Sequence, residues 1–285
     1  MNVSKLLIAL SISAVLFSCK KSDVNLSTGL ASKTMLNVSY GADPAQGMDI
    51  YLPANRNVTI TRVIIMIHGG GWNAGDKSDM TQFVDSFKAR LPDFAVVNLN
   101  YRLATTNATL FPTQEMDVKA AFQFIVDHST EYAISQKMVL LGASAGAHLA
   151  LLQGNKYSSP IRPKAIVSLF GPTDMTDMYN NPTNPLIPPA LVSVIGKTPT
   201  QDPLIYSNSS PVKYVTSASP PTILLHGGMD PLVRWQQSLT MKNLLQTAGV
   251  VNQYVFYPTE GHGWTGANLY DSFNRIQAFI QANVN

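Results

Sequence analysis

The chain has 285 residues, 45% of them hydrophobic and 13% charged, which is enough apolar material for one large core. A net charge of +3, with no basic run and no interleaving of aromatic and basic residues, leaves no electrostatic footprint for nucleic acid. A single cysteine excludes an internal disulfide, and no Cys/His cluster points to zinc.

That cysteine closes an N-terminal signal. Met1 to Lys5 is short and positively charged, and Leu6 to Phe17 is an apolar run too short to span a bilayer but long enough for a signal-peptide core. It ends Leu16-Phe17-Ser18-Cys19, which resembles the lipobox of bacterial lipoproteins, in which the cysteine becomes the lipidated first residue. The expectation is a signal peptide over 1–18, lipidation at Cys19, a polar flexible tether over 19–33 and a catalytic domain over 34–285, held at the membrane of the cell envelope by the lipid.

Thr34 to Tyr40 and Met48 to Leu52 alternate apolar and polar residues around a Gly/Pro-rich turn, which predicts a β-hairpin. Val63 to Ile67 is a continuous apolar run, hence a buried strand, and His68-Gly-Gly-Gly-Trp72 follows it. Ser78 or Asp79 is placed to cap a helix reaching Arg90, and Phe94 to Leu99 is the next strand. Phe111-Pro112 opens a helix whose inward face is Val118, Ala121, Phe122 and Ile125. Met138 to Leu141 then runs as a strand into Gly142-Ala-Ser-Ala-Gly146, and a small-residue helix continues from Ala147 to Leu152.

Ala165 to Phe170 and Thr222 to Leu225 read as further buried strands, with Tyr254 to Tyr257 as the last. Helices are expected over Arg234 to Ala248, stopped by Gly249, and over Leu269 to Ala282. Between the strands Ala165 to Phe170 and Thr222 to Leu225, Gly171 to Pro211 carries seven prolines from Pro172 to Pro203 and no clear period, so it reads as an irregular insertion that is either a partial lid or a long connection. Strands alternating with helices argue for a mostly parallel sheet covered on both faces.

Strand, sharp turn and helix around Gly142–Gly146 is the context of a nucleophile elbow, which exposes Ser144 at the carboxyl edge of a sheet. Ligands bind at that edge in parallel sheets, and the polar residues just past the strand ends are His68, Tyr101, Ser144, Asp174, His226, Asp230 and His262. Of the five histidines, His128 sits near a helix end and His148 one turn into the elbow helix, where it is expected to pack under the sheet; His68 and His226 directly end strands. His262 stands in a glycine-flanked loop that lets it reach the serine, so it is the expected base. Asp230, in the preceding strand-end loop, is the expected orienting acid; Glu260 is too near His262 to reach its ring, and Asp174 and Asp177 belong to the insertion. The order Ser144, Asp230, His262 is that of α/β-hydrolases. One oxyanion donor is the N–H of Ala145, and others come from the His68–Gly71 loop.

With these residues the chain resembles the α/β-hydrolase family, within it the hormone-sensitive-lipase-like carboxylesterases and, closer still, a bacterial feruloyl-esterase-like group. The carrying motifs are His68-Gly-Gly-Gly-Trp72, Gly75-Asp-Lys77, Tyr101-Arg-Leu103, Phe111-Pro112, Gly142-Ala-Ser-Ala-Gly146 with His148, Ser210-Pro211, His226-Gly-Gly-Met-Asp230 and Gly261-His262. The resemblance implies the α/β-hydrolase fold and an oxyanion hole built from Gly70, Gly71 and Ala145. It implies hydrolysis of small acyl or aryl esters, acetyl or feruloyl, on a small molecule or a polysaccharide, with no metal or cofactor. The N-terminal helical cap of many lipase-like members has no counterpart here. Rival readings are an amidase, peptidase or arylformamidase on the same fold, and a surface lipoprotein that binds glycan without catalysis. Trp72, Tyr101 and the insertion are candidates to line the pocket.

Overall fold

The computed structural model describes residues 29–285. The expected signal peptide, the lipidation site Cys19 and most of the expected tether lie outside the described residues. In chain order the elements are β1 (Lys33–Ser39), β2 (Gly47–Leu52), β3 (Val63–Ile67), α1 (Thr81–Arg90), β4 (Ala95–Leu99), α2 (Thr113–Asp127), β5 (Met138–Ala143), α3 (Ala145–Lys156), β6 (Ala165–Leu169), α4 (Met175–Asn180), α5 (Ile187–Ile195), α6 (Pro203–Asn208), β7 (Thr222–Gly227), α7 (Gln236–Thr247), β8 (Asn252–Tyr257) and α8 (Gly266–Asn283).

The strands form one open sheet in the order β1-β2-β4-β3-β5-β6-β7-β8. β1 and β2 pair antiparallel, as the hairpin pattern predicts, β2 joins β4 antiparallel, and every other pair is parallel. The two faces of β3 show why its sequence is apolar throughout. Val63, Ile65 and Ile67 enter a core shared with α2, α3 and α7, while Ile64 and Met66 enter a second core shared with α1 and α8. The sheet is the α/β-hydrolase arrangement that the motifs imply. Among the described residues no helix is long and apolar enough to cross a membrane.

Three local expectations need correction. First, α1 is preceded by a short 3-10 turn over Lys77–Met80, and Asp76 caps that turn, its side chain accepting from Ser78 N while Asp79 accepts from Asp76 N. Second, the end of the expected tether is part of the body: the Leu30 carbonyl accepts from Asn55 N at 2.7 Å, Arg56 binds the Ala31 carbonyl, and Lys33 already belongs to β1. Third, the 171–211 insertion is not irregular, because it holds α4, α5 and α6. Its prolines mislead because they sit where a helix tolerates them: Pro188 and Pro189 in the first turn of α5, and Pro203 in that of α6. Asp174 and Asp202 cap α4 and α6. Ile187, Leu191, Val194 and Ile195 stand at helical spacing and are buried in the main core, each worth about 1.5–3 kcal/mol. That burial packs the insertion over the sheet's carboxyl edge as a roof.

Candidate active site

The elbow is built by close approach. A Cβ on Gly146 would overlap the carbonyl oxygens of Ile67 and His68, and one on Gly142 would overlap that of Gly146, so β5, β3 and the start of α3 touch backbone to backbone. Ser144 occupies the turn at φ 54°, ψ −120°, a conformation that costs an ordinary residue about 1–3 kcal/mol and that the surrounding contacts enforce. Its N–H donates to the Leu169 carbonyl at 2.8 Å, and its carbonyl accepts from His148 N, opening α3.

The structure brings the three residues of the expected triad into one hydrogen-bonded line. Ser144 Oγ lies 2.8 Å from His262 Nε2, and His262 Nδ1 lies 2.7 Å from Asp230 Oδ2. The Asp230 side chain is fully buried and the His262 ring nearly so. Asp230 Oδ1 accepts from Leu232 N at 2.8 Å and Val233 N at 2.9 Å. Burial alone would raise the Asp230 pKa, but hydrogen bonds from His226, His262 and Val233 N outweigh it and hold the carboxyl far below the usual carboxylate range. Asp230 is therefore an anion that accepts a proton-bearing Nδ1, which leaves His262 Nε2 as the acceptor facing the serine hydroxyl. The Phe170 ring lies 4.6 Å from the His262 imidazole and backs it.

The sequence reading missed the second partner of Asp230. His226 is fully buried, its Nδ1 accepts from Ser238 Oγ at 2.7 Å, and its Nε2 donates to the Val233 carbonyl at 2.9 Å while lying 3.3 Å from Asp230 Oδ2. It thus fixes both the carboxylate and the loop that carries it. His68 stacks on Tyr101 at 4.3 Å, and the Tyr101 hydroxyl donates to the carbonyls of His68 and Gly69. These two are buried scaffold beneath the glycine loop, so Tyr101 does not line the pocket. Asp174 is the cap of α4, and Asp177 pairs with Arg234 at 2.8 Å.

Gly70 and Gly71 adopt φ of 98° and 57°, and their N–H groups donate to no carbonyl among the described residues. The Ala145 N–H is the first of α3 and has no partner within the helix. Gly71 and Ser144 share a mostly apolar cleft of about 200 Å³, which Trp72, Asn73, Pro172, Met178, Ile187, Ala190, Leu191, Leu232 and Val233 complete. The insertion supplies one apolar wall and the acid loop another. The helical spacing of Ile187, Leu191, Val194 and Ile195 is the sequence signal that points to the first wall, whereas nothing local marks the second.

His148 does not pack under the sheet as expected. It is buried at the junction of three site segments: Nδ1 accepts from Trp72 Nε1 at 3.1 Å, Nε2 donates to the Ser209 carbonyl at 2.6 Å, and the ring itself belongs to the elbow helix. Burial pushes its pKa down to about 4, a hydrogen bond to the Ser209 carbonyl opposes that, and Lys156 adds to it. The unfolded chain takes up this proton near pH 6.5, and the folded chain resists until about pH 4, so stability is lost as pH falls through that interval. We expect His148 to account for about 3 kcal/mol of that loss. His148→Gln, which cannot titrate, should therefore lose less stability than the wild type between about pH 7 and pH 4.5 in urea unfolding. Equal losses in the two proteins would exclude the assignment.

Among the described residues no group of three or more His, Cys, Asp or Glu is placed to hold a metal ion. The arrangement is that of a nucleophile, a base, an orienting anion and free N–H donors around an apolar cleft, which is the equipment for acyl transfer.

The chain is similar to known esterases. The sequence model of the BD-FAE family matches residues 48–245. Esterase LipC of Mycobacterium tuberculosis is 24% identical over 259 residues, covering 85% of this chain; the chain spans 64% of the length of that relative. A truncated carbohydrate esterase from gut microbiota superposes with a TM-score of 0.75 at 27% identity, over 90% of this chain and 99% of its own. A bifunctional GH43-CE protein of Bacteroides eggerthii gives 0.78 at 26% identity, over 88% of this chain and 38% of its own.

Proposed function

Because the chain belongs to the BD-FAE family, we propose that it is a serine carboxylesterase that removes small acyl or aryl groups, of the acetyl or feruloyl type, from a carbohydrate polymer. The observation that carries this reading is the unbroken line from Ser144 through His262 to Asp230, opening on an apolar cleft of about 200 Å³.

In this mechanism Ser144 Oγ attacks the ester carbonyl carbon as His262 Nε2 takes the hydroxyl proton. The negative charge gathers on the former carbonyl oxygen, where the N–H groups of Gly70, Gly71 and Ala145 stabilise it. The carbon–alkoxide bond then breaks, and His262 gives its proton to the departing alcohol. Water enters, gives a proton to His262 and attacks the acyl-enzyme; the second collapse frees the acid and returns the proton to Ser144. Asp230 stays ionised throughout.

The cleft is smaller than the about 300–1,000 Å³ that encloses a whole ligand, so it suits the acyl part, with the alcohol lying outside. Leu232, which lines the cleft, is exposed. The carbohydrate part of the proposal is supported by likeness to a carbohydrate esterase.

The test is a substrate panel. We expect p-nitrophenyl acetate and butyrate to be cleaved with kcat/KM about 10-fold or more above the octanoate, because the extra methylenes exceed the cleft. Acetate should be released from acetylated xylan, or ferulate from its methyl ester. Hydrolysis of formyl-kynurenine or of a peptide anilide without ester hydrolysis would overturn the reading in favour of an amidase. No turnover of any member would favour glycan binding without catalysis. We propose in addition that Cys19 carries a lipid anchor, so Cys19→Ser is expected to move the protein out of the membrane fraction.

A further inference from the structure

The two ends of β5 carry different chemistry. Ser144 follows its carboxyl end, and Lys137 precedes its amino end, about 20 Å away at the rise of a parallel strand. Around Lys137 lies a hollow of about 710 Å³, bounded by Val58, Thr59, Ser129, Thr130, Arg162 and Lys164 among others, with no acidic residue in its lining. Lys164 directly precedes β6, its N–H bound to the Met138 carbonyl, so both lysines lie on the amino edge of the sheet. None of Lys137, Arg162 and Lys164 forms an ion pair among the described residues. The edge also carries Asp93, which pairs with Arg62 at 3.7 Å, and the exposed Glu131, so the excess of charge is positive.

Two further observations fall on the same edge. Leu30, Val58, Ile60 and Val251 stand exposed there, Val251 immediately before β8. The start of the described chain is bound there as well: the Leu30 carbonyl accepts from Asn55 N, and Arg56 reaches both the Ala31 carbonyl and the Tyr132 carbonyl, in the loop whose Val58 and Thr59 wall the hollow. Gly29, the first described residue, therefore stands at the edge opposite the cleft.

We propose that this amino edge docks on an anionic lipid bilayer, through Lys137, Arg162 and Lys164 at the headgroup phosphates and Val58 and Ile60 at the interface. The biological setting of this docking rests on the lipid-anchor reading above. Unpaired cations beside exposed apolar side chains are the chemistry that an anionic membrane surface attracts, and the first described residues, Leu30 and Ala31, are bound at the same edge. The orientation turns the Ser144 cleft away from the membrane, toward a polymer substrate that a bilayer excludes.

The test uses residues 20–285, which hold every described element and lack Cys19, so its outcome does not depend on lipidation. We expect this protein to float with phosphatidylglycerol-containing vesicles and not with phosphatidylcholine vesicles, and to be released by about 0.5 M salt. The triple variant Lys137→Gln, Arg162→Gln, Lys164→Gln should bind about 100-fold more weakly, at about 5-fold per cation, with an unchanged thermal midpoint and unchanged ester hydrolysis. Lys20 and Lys21 are present in both proteins, so the difference belongs to the hollow. Failure of the parent protein to bind anionic vesicles, or equal binding by the variant, overturns the proposal. Binding to polygalacturonate but not to vesicles overturns it in favour of an acidic glycan. Release of Cys19→Ser from cell membranes, read separately, tests the anchor alone.

Discussion

Replacing Ser144 with alanine is expected to lower kcat on a short p-nitrophenyl ester by about a million-fold, the scale seen when the nucleophile of such a unit is removed. The loss is that large because Ser144 supplies the attacking oxygen, 2.8 Å from His262 Nε2, and among the described residues no other group stands in that place. Alanine keeps the turn, since Gly142 and Gly146 impose the close approach whatever stands between them. The variant should therefore fold with a thermal midpoint near that of the wild type and still bind an acyl group in the cleft. His262→Ala should cost about as much, and the double variant little more, because neither residue works without the other. A Ser144→Ala protein retaining more than about one part in a thousand of wild-type kcat would mean that the nucleophile is elsewhere.

Ser144, His262 and Asp230 were legible in the sequence because each sits just past an apolar strand, and a parallel sheet gathers its strand ends on one edge. The elbow carries a further local mark, two glycines four residues apart, which the backbone contact of β3, β5 and α3 explains. The roof of the cleft was hidden for an equally local reason. Proline is read as a breaker, but Pro188, Pro189 and Pro203 lie in the first turns of α5 and α6, where the missing N–H has no helical partner to lose. The spacing Ile187, Leu191, Val194, Ile195 carried the helix signal beneath them. The roles of His226 and His148 had no such signal. Each depends on a partner remote in sequence or supplied by loop geometry, Asp230 and Val233 for one, Trp72 and Ser209 for the other.

Asp230→Asn should lower kcat by about 10,000-fold while leaving the fold in place, and the reason lies in which atoms of the carboxylate are already spoken for. Oδ1 accepts from two backbone donors, Leu232 N and Val233 N. Backbone N–H groups cannot change role, so the amide oxygen of an asparagine must occupy that position. Its NH₂ then faces His262 at the site of Oδ2, where wild-type Nδ1 donates at 2.7 Å. An imidazole can change role: His262 Nδ1 becomes the acceptor, and the proton moves to Nε2. That tautomer presents an N–H to Ser144 and cannot take its proton. Flipping the amide would restore the donor–acceptor match at His262 and beside His226, but it would set the NH₂ against both backbone N–H groups, so the unreactive arrangement is the more stable one. Asp230→Ala separates the effects, since it removes the turn acceptor as well and should also cost about 1 kcal/mol or more of stability. Measuring kcat and urea midpoints for both variants checks the argument. An asparagine variant within about 10-fold of wild-type kcat would show that Asp230 does not set the His262 tautomer.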